Sequence, residues 1–292
     1  MSFLSYLING LSLGSVYAII ALGYTMVYGI AKMLNFAHGD VIMVGAYMCF
    51  FAVSRYELPP IVGVLLAVVV CTLLGVIIER LAYKPLRTAP SLAVLITAIG
   101  VSYFLQNSAQ LLWTANPKVF PSLISGSLRL FDGQLSISYV TIVIVLACIA
   151  IVVGLSFFIN HSKLGKAMRA CSEDKGAAQL MGINVNRTIS LTFAIGSALA
   201  AIAGVLLCSA YPILSPTTGS MPGIKAFTAA VFGGIGSIPG AFIGGLLLGV
   251  LEILGSAYVS TELKDAIVFL ALIIVLLVKP TGLLGKKVRE KV

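Results

Sequence analysis

Charge is what this sequence has least of. Asp, Glu, Lys and Arg make up only 10% of its 292 residues, where a soluble globular chain carries about a quarter, so soluble-enzyme, disordered and collagenous classes are excluded together. Histidine is almost absent. His38 and His161 are the only two, and neither has Cys, His or Glu at ligand spacing, so no metal site is expected. The five cysteines (Cys49, Cys71, Cys148, Cys171 and Cys208) form no C-x-x-C pair and read as small buried hydrophobes. No G-x-x-x-x-G-K-[ST] occurs: Gly282-Leu283-Leu284-Gly285-Lys286-Lys287 lacks both the spacing and the hydroxyl that holds Mg2+. The chain therefore reads as no enzyme, with no catalytic residues and no cofactor. If ATP drives it, another subunit must bind the nucleotide.

What the chain has instead is apolar length. Hydrophobic residues make up 59% and mean hydropathy is +1.07, the signature of a polytopic membrane protein. A bilayer core about 30 Å thick needs about 20 helical residues to cross it. Met1–Ala31, Leu58–Ile78, Thr88–Pro117, Gly133–Ser162, Thr188–Ile224 and Ala226–Leu251 are free of charge and long enough. Val41–Ser54 and Ala266–Val278 are shorter, and the second predicts a last helix beginning near Thr261. No basic region precedes the first apolar run, so it reads as a first span, not a cleaved signal. Continuous runs such as Tyr139–Gly154 lack the two-residue alternation of a barrel strand. The expected fold is all-α: one transmembrane domain over 1–292 with about eight transmembrane helices.

Basic residues set the orientation. Arg80, Lys84 and Arg87, then Lys163, Lys166, Arg169, Lys175 and Arg187, then Lys279, Lys286, Lys287, Arg289 and Lys291 mark three cytoplasmic segments. The loop 113–136, with Trp113, Pro117, Gly126, Asp132 and Gly133, is then external. Juxtamembrane basic clusters are topology anchors facing the lipid bilayer, so the net charge of +9 implies no nucleic acid. If 191–210 runs outward and the tail lies inside, 226–278 must cross an odd number of times, while its composition offers two passes or three.

Two interruptions stand out. Glycines at 233, 234, 236, 240, 244, 245 and 249, with Pro239 among them, disfavour one continuous helix, since an interior Gly costs about 1 kcal/mol against Ala and Pro about 3. A half-helix, a break at Gly233, Gly234, Gly236 and Pro239, and a second helix fit better. For Gly240, Gly244 and Gly245, close helix packing is the alternative. Near the N-terminus Tyr28–Asp40 sets Lys32, Asn35, His38 and Asp40 into an otherwise apolar run. Interrupted segments in both halves of a chain point to a transporter with internal repeats and a central path. Asn35, His38 and Asp40 could line that path. Alternatively, His38 and Asp40 sit at an interface, with Asp40 stabilised near a helix N-terminus. Glu252 is a weaker suspect of the same kind.

The segment 160–190 is longer than a connector needs. Ser172 as N-cap, Glu173 and Asp174 in a first turn and Gly182 past the end predict one short helix over 173–181. Its apolar face could lie on anionic lipid or in a groove of a partner protein.

Four motifs carry a family resemblance: Leu34-Asn35-Phe36-Ala37-His38-Gly39-Asp40, Gly165-Lys166-Ala167-Met168-Arg169-Ala170, Ala177-Ala178-Gln179-Leu180-Met181-Gly182-Ile183, and Phe232-Gly233-Gly234-Ile235-Gly236-Ser237-Ile238-Pro239-Gly240-Ala241. In this order and over nearly the whole chain, they resemble the LivH-type permease subunit of bacterial branched-chain amino acid ABC importers. The resemblance implies a multi-pass protein of the bacterial plasma (inner) membrane and an ABC importer permease fold. It also implies four kinds of partner contact: a homologous LivM-type permease, two ABC ATPase subunits, an extracytoplasmic substrate-binding protein and the lipid bilayer. Gly165, Arg169, Asp174, Ala177 and Gly182 match the family's ATPase-coupling loop. The implied cargo is leucine, isoleucine or valine. Urea and short-amide permeases of the same family are the alternative, less expected because no long N-terminal extension is present. From another class, a nucleotide-independent channel or carrier would use His38 and Asp40 as its titrating pair.

Overall fold

The computed structural model describes residues 2–130 and 135–285. Asp132 and Gly133 of the external loop and Lys286, Lys287, Arg289 and Lys291 of the basic tail lie outside the described residues.

Eleven α-helices carry the described chain: α1 Ser2–Ala31, α2 His38–Ser54, α3 Pro60–Ile78, α4 Ser91–Trp113, α5 Tyr139–His161, α6 Lys163–Glu173, α7 Lys175–Leu180, α8 Val185–Ala210, α9 Ser220–Gly233, α10 Ile238–Tyr258 and α11 Lys264–Val278. Four short strands, β1 Lys118–Val119, β2 Ser127–Leu130, β3 Leu135–Ser138 and β4 Ile213–Leu214, pair antiparallel as β1 with β4 and β2 with β3. Both pairs lie at one end of the bundle. The other end gathers the basic residues.

Local sequence explains the helix starts. Pro60 stands in the first turn of α3, where its missing N–H costs nothing. Ser138, Ser162, Asn184 and Ser237 each cap a helix by accepting from a backbone N–H of its first turn. α3 does not stop at Ile78 but tightens through a π turn, Glu79–Tyr83, and a 3-10 turn, Lys84–Leu86.

α1 is the axis of the molecule. Residues 16–22 are at most 3% exposed, because α10, α8, α9 and α5 surround them. The glycines of α10 make this possible: Gly245 lies against the backbone of Ala18, and Gly249 against that of Gly14. α3, α4 and α5 form the outer layer, and the exposed Leu65, Ile96, Phe104, Leu146 and Phe157 suit contact with lipid.

Six helices are long and apolar enough to cross a membrane: α1, α3 with its extension, α4, α5, α8 and α10. α2, α9 and α11, with 17, 14 and 15 residues, are shorter. Thus six spanning helices and three short ones stand where about eight were expected. The uncharged run Thr188–Ile224 hid a helix end at Ala210 and a new start at Ser220, since a break needs no charge. Three elements, α9, α10 and α11, follow residue 219, and of these α10 alone is long and apolar enough to cross.

α1 to α4 and α8 to α11 follow one plan in opposite directions. Each begins with a long helix, returns without helix into the bundle (32–37 and 211–219), continues in a short helix and adds two more. The expected pairing of interruptions is corrected here. The counterpart of 32–37 is 211–219, while 234–237 is the turn of a helical hairpin. α9 and α10 run antiparallel, with Gly233 against Gly240 and Ala229 against Gly244. Gly234 (φ 111°) and Gly236 (φ 92°) make the reversal, at backbone angles that side chains disfavour. Gly240, Gly244 and Gly245 are packing residues, as the alternative reading had them.

Candidate functional site

The two short helices begin side by side inside the bundle. His38 and Gly39 open α2, Ser220 opens α9, and the backbones of Gly39 and Gly219 touch so closely that a Cβ on either would overlap the other's carbonyl. Gly223 closes on Gly39 from the next turn. His38 packs on Gly23, and its ring stands 4.7 Å from that of Tyr24. Gly23 lies eight residues before the end of α1, about 12 Å along the helix at 1.5 Å per residue. Both His38 and Asp40 are 1% exposed, so the interfacial placement is corrected: they are interior. The other half of that reading holds, because Asp40 does occupy the first turn of α2.

Asp40 accepts from Gln106 of α4 at 2.9 Å, and the same amide reaches Ser220 at 3.2 Å. Among the described residues no cation forms an ion pair with Asp40. Its charge instead meets the positive ends of two helix dipoles. Asn35, in the returning segment, accepts from the Tyr83 hydroxyl at 2.9 Å, which ties that segment to the π turn of α3.

At the basic end, the helix expected over 173–181 is present as α7, Lys175–Leu180, and a further helix, α6, precedes it. α6 ends at Glu173, and Asp174, not Ser172, caps α7 by accepting from the Ala177 amide at 3.0 Å. Asp174 breaks the run because its extended backbone (φ −155°) cannot continue a helix. Gly165 is buried against Phe158 and Ile159 at the turn out of α5, whereas Arg169 is exposed and reaches the Asn160 carbonyl at 3.4 Å. Ala177 and Gly182 are exposed, and Gly182 takes φ +80° just past α7. Leu180 and Met181 beside it are 91% and 82% exposed. A groove of about 290 Å3 runs beside them between α6 and α8, lined by Leu164, Ala167, Ile183 and Leu191. Gly233 and Gly234 are buried against Leu284 and Gly285, while Gly236 and Pro239 are exposed in the hairpin turn. The expected site residues therefore fall into three places: the meeting of the half-helices, α6–α7, and the α9–α10 turn.

Sequence reasoning missed the residues that join these places. Lys175 donates to the Ala31 carbonyl at 2.8 Å, linking α7 to the last turn of α1. Partial burial, with Arg87 and Lys32 nearby, lowers its pKa from the ordinary lysine value. Arg87 bridges Glu79 and Asn186, and Glu79 accepts from Ser190 at 2.6 Å, locking α3 to the start of α8. Lys225 and Glu252 form a buried pair at 2.7 Å. Glu252 was already a suspect as an ionisable residue in an apolar run, whereas for Lys225 the available signal was only that it interrupts two apolar runs.

Residues 6–276 match the family described as the branched-chain amino acid transport system permease component. The chain belongs to this family. It is 48% identical to the high-affinity branched-chain amino acid transport permease LivH of Salmonella typhimurium, covering 99% of this chain and 98% of the relative. With BraD of Pseudomonas aeruginosa, a permease of the same description, it shares 47% over the same coverage. A chain of PsaBC from Streptococcus pneumoniae in complex with Fab aligns with TM-score 0.51 at 14% identity, over 96% of this chain and 93% of that one, which shows a shared fold. As a permease of this family with six spanning helices, the chain is a multi-pass inner-membrane protein.

Proposed function

We propose that this permease imports leucine, isoleucine and valine as one transmembrane subunit of an ATP-driven transporter. Near-complete alignment with LivH and BraD carries the reading. Its partners are a homologous LivM-type permease, two ATPases at the basic, cytoplasmic end and a substrate-binding protein at the other. The chain has no P-loop, so ATP hydrolysis belongs to the ATPases.

α6 and α7 form the coupling element, with Gly165, Arg169, Asp174, Ala177 and Gly182 shaping it and Leu180 and Met181 as its apolar contact. Displacement of α7 pulls on the end of α1 through Lys175 and Ala31. The end of α1 leads directly into 32–37, whose Asn35 is held by Tyr83, and from there to His38 and Asp40 at the meeting half-helices. Movement at the ATPase face thus reaches the centre of the bundle within a few contacts. Gly233, Gly234, Gly236 and Pro239 act as a turn at the same face.

Affinity purification from native membranes tests this. The expected eluate contains two P-loop ATPases and a second permease, and takes up leucine when ATP and binding protein are supplied. A chain that emerges alone and moves solute without nucleotide would overturn the proposal.

A further inference from the structure

The end opposite the basic one holds a cavity of about 390 Å3 between α1, α8, α9, α10 and the start of α11, within the range of small-molecule sites, about 300–1,000 Å3. Its wall is largely aliphatic, with Leu13, Leu207, Ile213, Met221 and Ile253. Into it also face Lys225 and Glu252, each 4% exposed, and Lys264 at the beginning of α11. Lys225 donates to Glu252 at 2.7 Å and forms an ion pair with Asp265 at 2.6 Å, and Tyr17 donates to the other oxygen of Glu252 at 2.8 Å. Buried ionisable groups at membrane depth are costly and mark ligand paths more often than scaffolding.

The wall carries both signs, Lys225 and Lys264 against Glu252, and Asp265 behind Lys225 brings the sum of the four charges to zero. A free cation entering here meets Lys225, and a free anion meets Glu252. A neutral polyol needs neither charge. A zwitterion satisfies both signs at once. Capacity remains for it: an ammonium has three donors and Lys225 gives one to Glu252, while a carboxylate has about four acceptor positions and Glu252 uses two. Beside these charges, the aliphatic wall suits a branched hydrocarbon side chain.

We propose that this pocket binds the transported amino acid directly, as a receiving site on the permease. Glu252 takes the α-ammonium, Lys225 and Lys264 take the α-carboxylate, and Met221 and Ile253 cover the side chain. The proposal rests on the importer reading and adds a second point of selection after the binding protein.

The test uses the complete transporter in nanodiscs without binding protein, and an L-leucine analogue carrying a diazirine in its side chain. Irradiation should label peptides containing Met221 or Ile253. Excess L-leucine should remove the label, whereas leucinol, lacking the carboxylate, and N-acetyl-leucine, lacking the ammonium, should not. Lys225→Met should abolish labelling and Lys225→Arg restore it. Because Lys225→Met also strands the buried Glu252 charge, a second variant separates folding from binding: Met221→Trp, which fills the cavity and leaves the ion pair intact, should cut labelling at Ile253 and binding-protein-dependent uptake at least tenfold. Labelling elsewhere, or labelling equally displaced by leucinol, with ATP-driven leucine uptake intact, would overturn the pocket and leave the importer standing. Absence of ATP-driven leucine uptake in the unaltered complex would overturn both.

Discussion

At Gly39 and Gly219 the backbones of two helix starts occupy space that any side chain would need. Gly219→Ala should therefore destabilise the protein by about 1–3 kcal/mol, the usual range for overpacking, read as a lower unfolding midpoint of the purified complex. Gly29→Ala, whose new methyl would make only an ordinary 3.5 Å contact with Gly236, should leave it unchanged. Equal effects from both would show that the meeting of the half-helices is not tightly packed. Lys225 and Glu252 make a different kind of demand. Removing one member of a buried pair strands the other's charge at about 3–5 kcal/mol. Lys225→Met alone, which leaves Glu252 without its cation, should lower the folded yield severely, and adding Glu252→Leu should recover most of it. A double variant as poor as the single would mean that charge burial is not what the pair offsets.

Among the elements, α7 offers the sharpest test because it has only six residues and helices that short do not persist without capping. Asp174→Ala removes the acceptor for the Ala177 amide, a loss of about 1 kcal/mol, which should melt α7 while the spans stay assembled. Leucine uptake and transport-coupled ATP hydrolysis should then fall severalfold at unchanged complex yield. Unchanged uptake would remove α6–α7 from the coupling path. This segment also shows the limit of reading letters in order. Ser172, Glu173 and Asp174 are all good helix starters, and choosing among them required knowing that Glu173 closes the helix before. The hairpin at Gly233–Pro239 was visible as a break, but whether the chain reversed there depended on Gly240 and Gly244 docking back on α9. No local signal carries that information.

For the whole molecule, hydropathy located the six long helices because each buries or faces hydrocarbon along its full length. The returns at 32–37 and 211–219 were only half legible. Lys32, Asn35, His38 and Asp40 betray the first by polarity, but the second is uncharged from Tyr211 to Gly219 and hides inside an apolar run. The polar contacts joining distant elements, such as the hydrogen bond from Tyr17 to Glu252 across 235 positions, could not be read from spacing at all.

The pairing of α2 with α9 constrains how the protein can be made. α2 reaches the translocation machinery early, with 17 residues and buried charge at its head, too short and too polar to settle as an independent span. Its counterpart, α9, leaves the ribosome about 180 residues later. Until then Asp40 has no second helix start to face, so α1 and α2 must wait in the membrane, incompletely packed, for the second half. Integration of the centre is consequently a late step, and a nascent chain halted after α5 would present the surface of Gly39 to lipid or to a membrane chaperone.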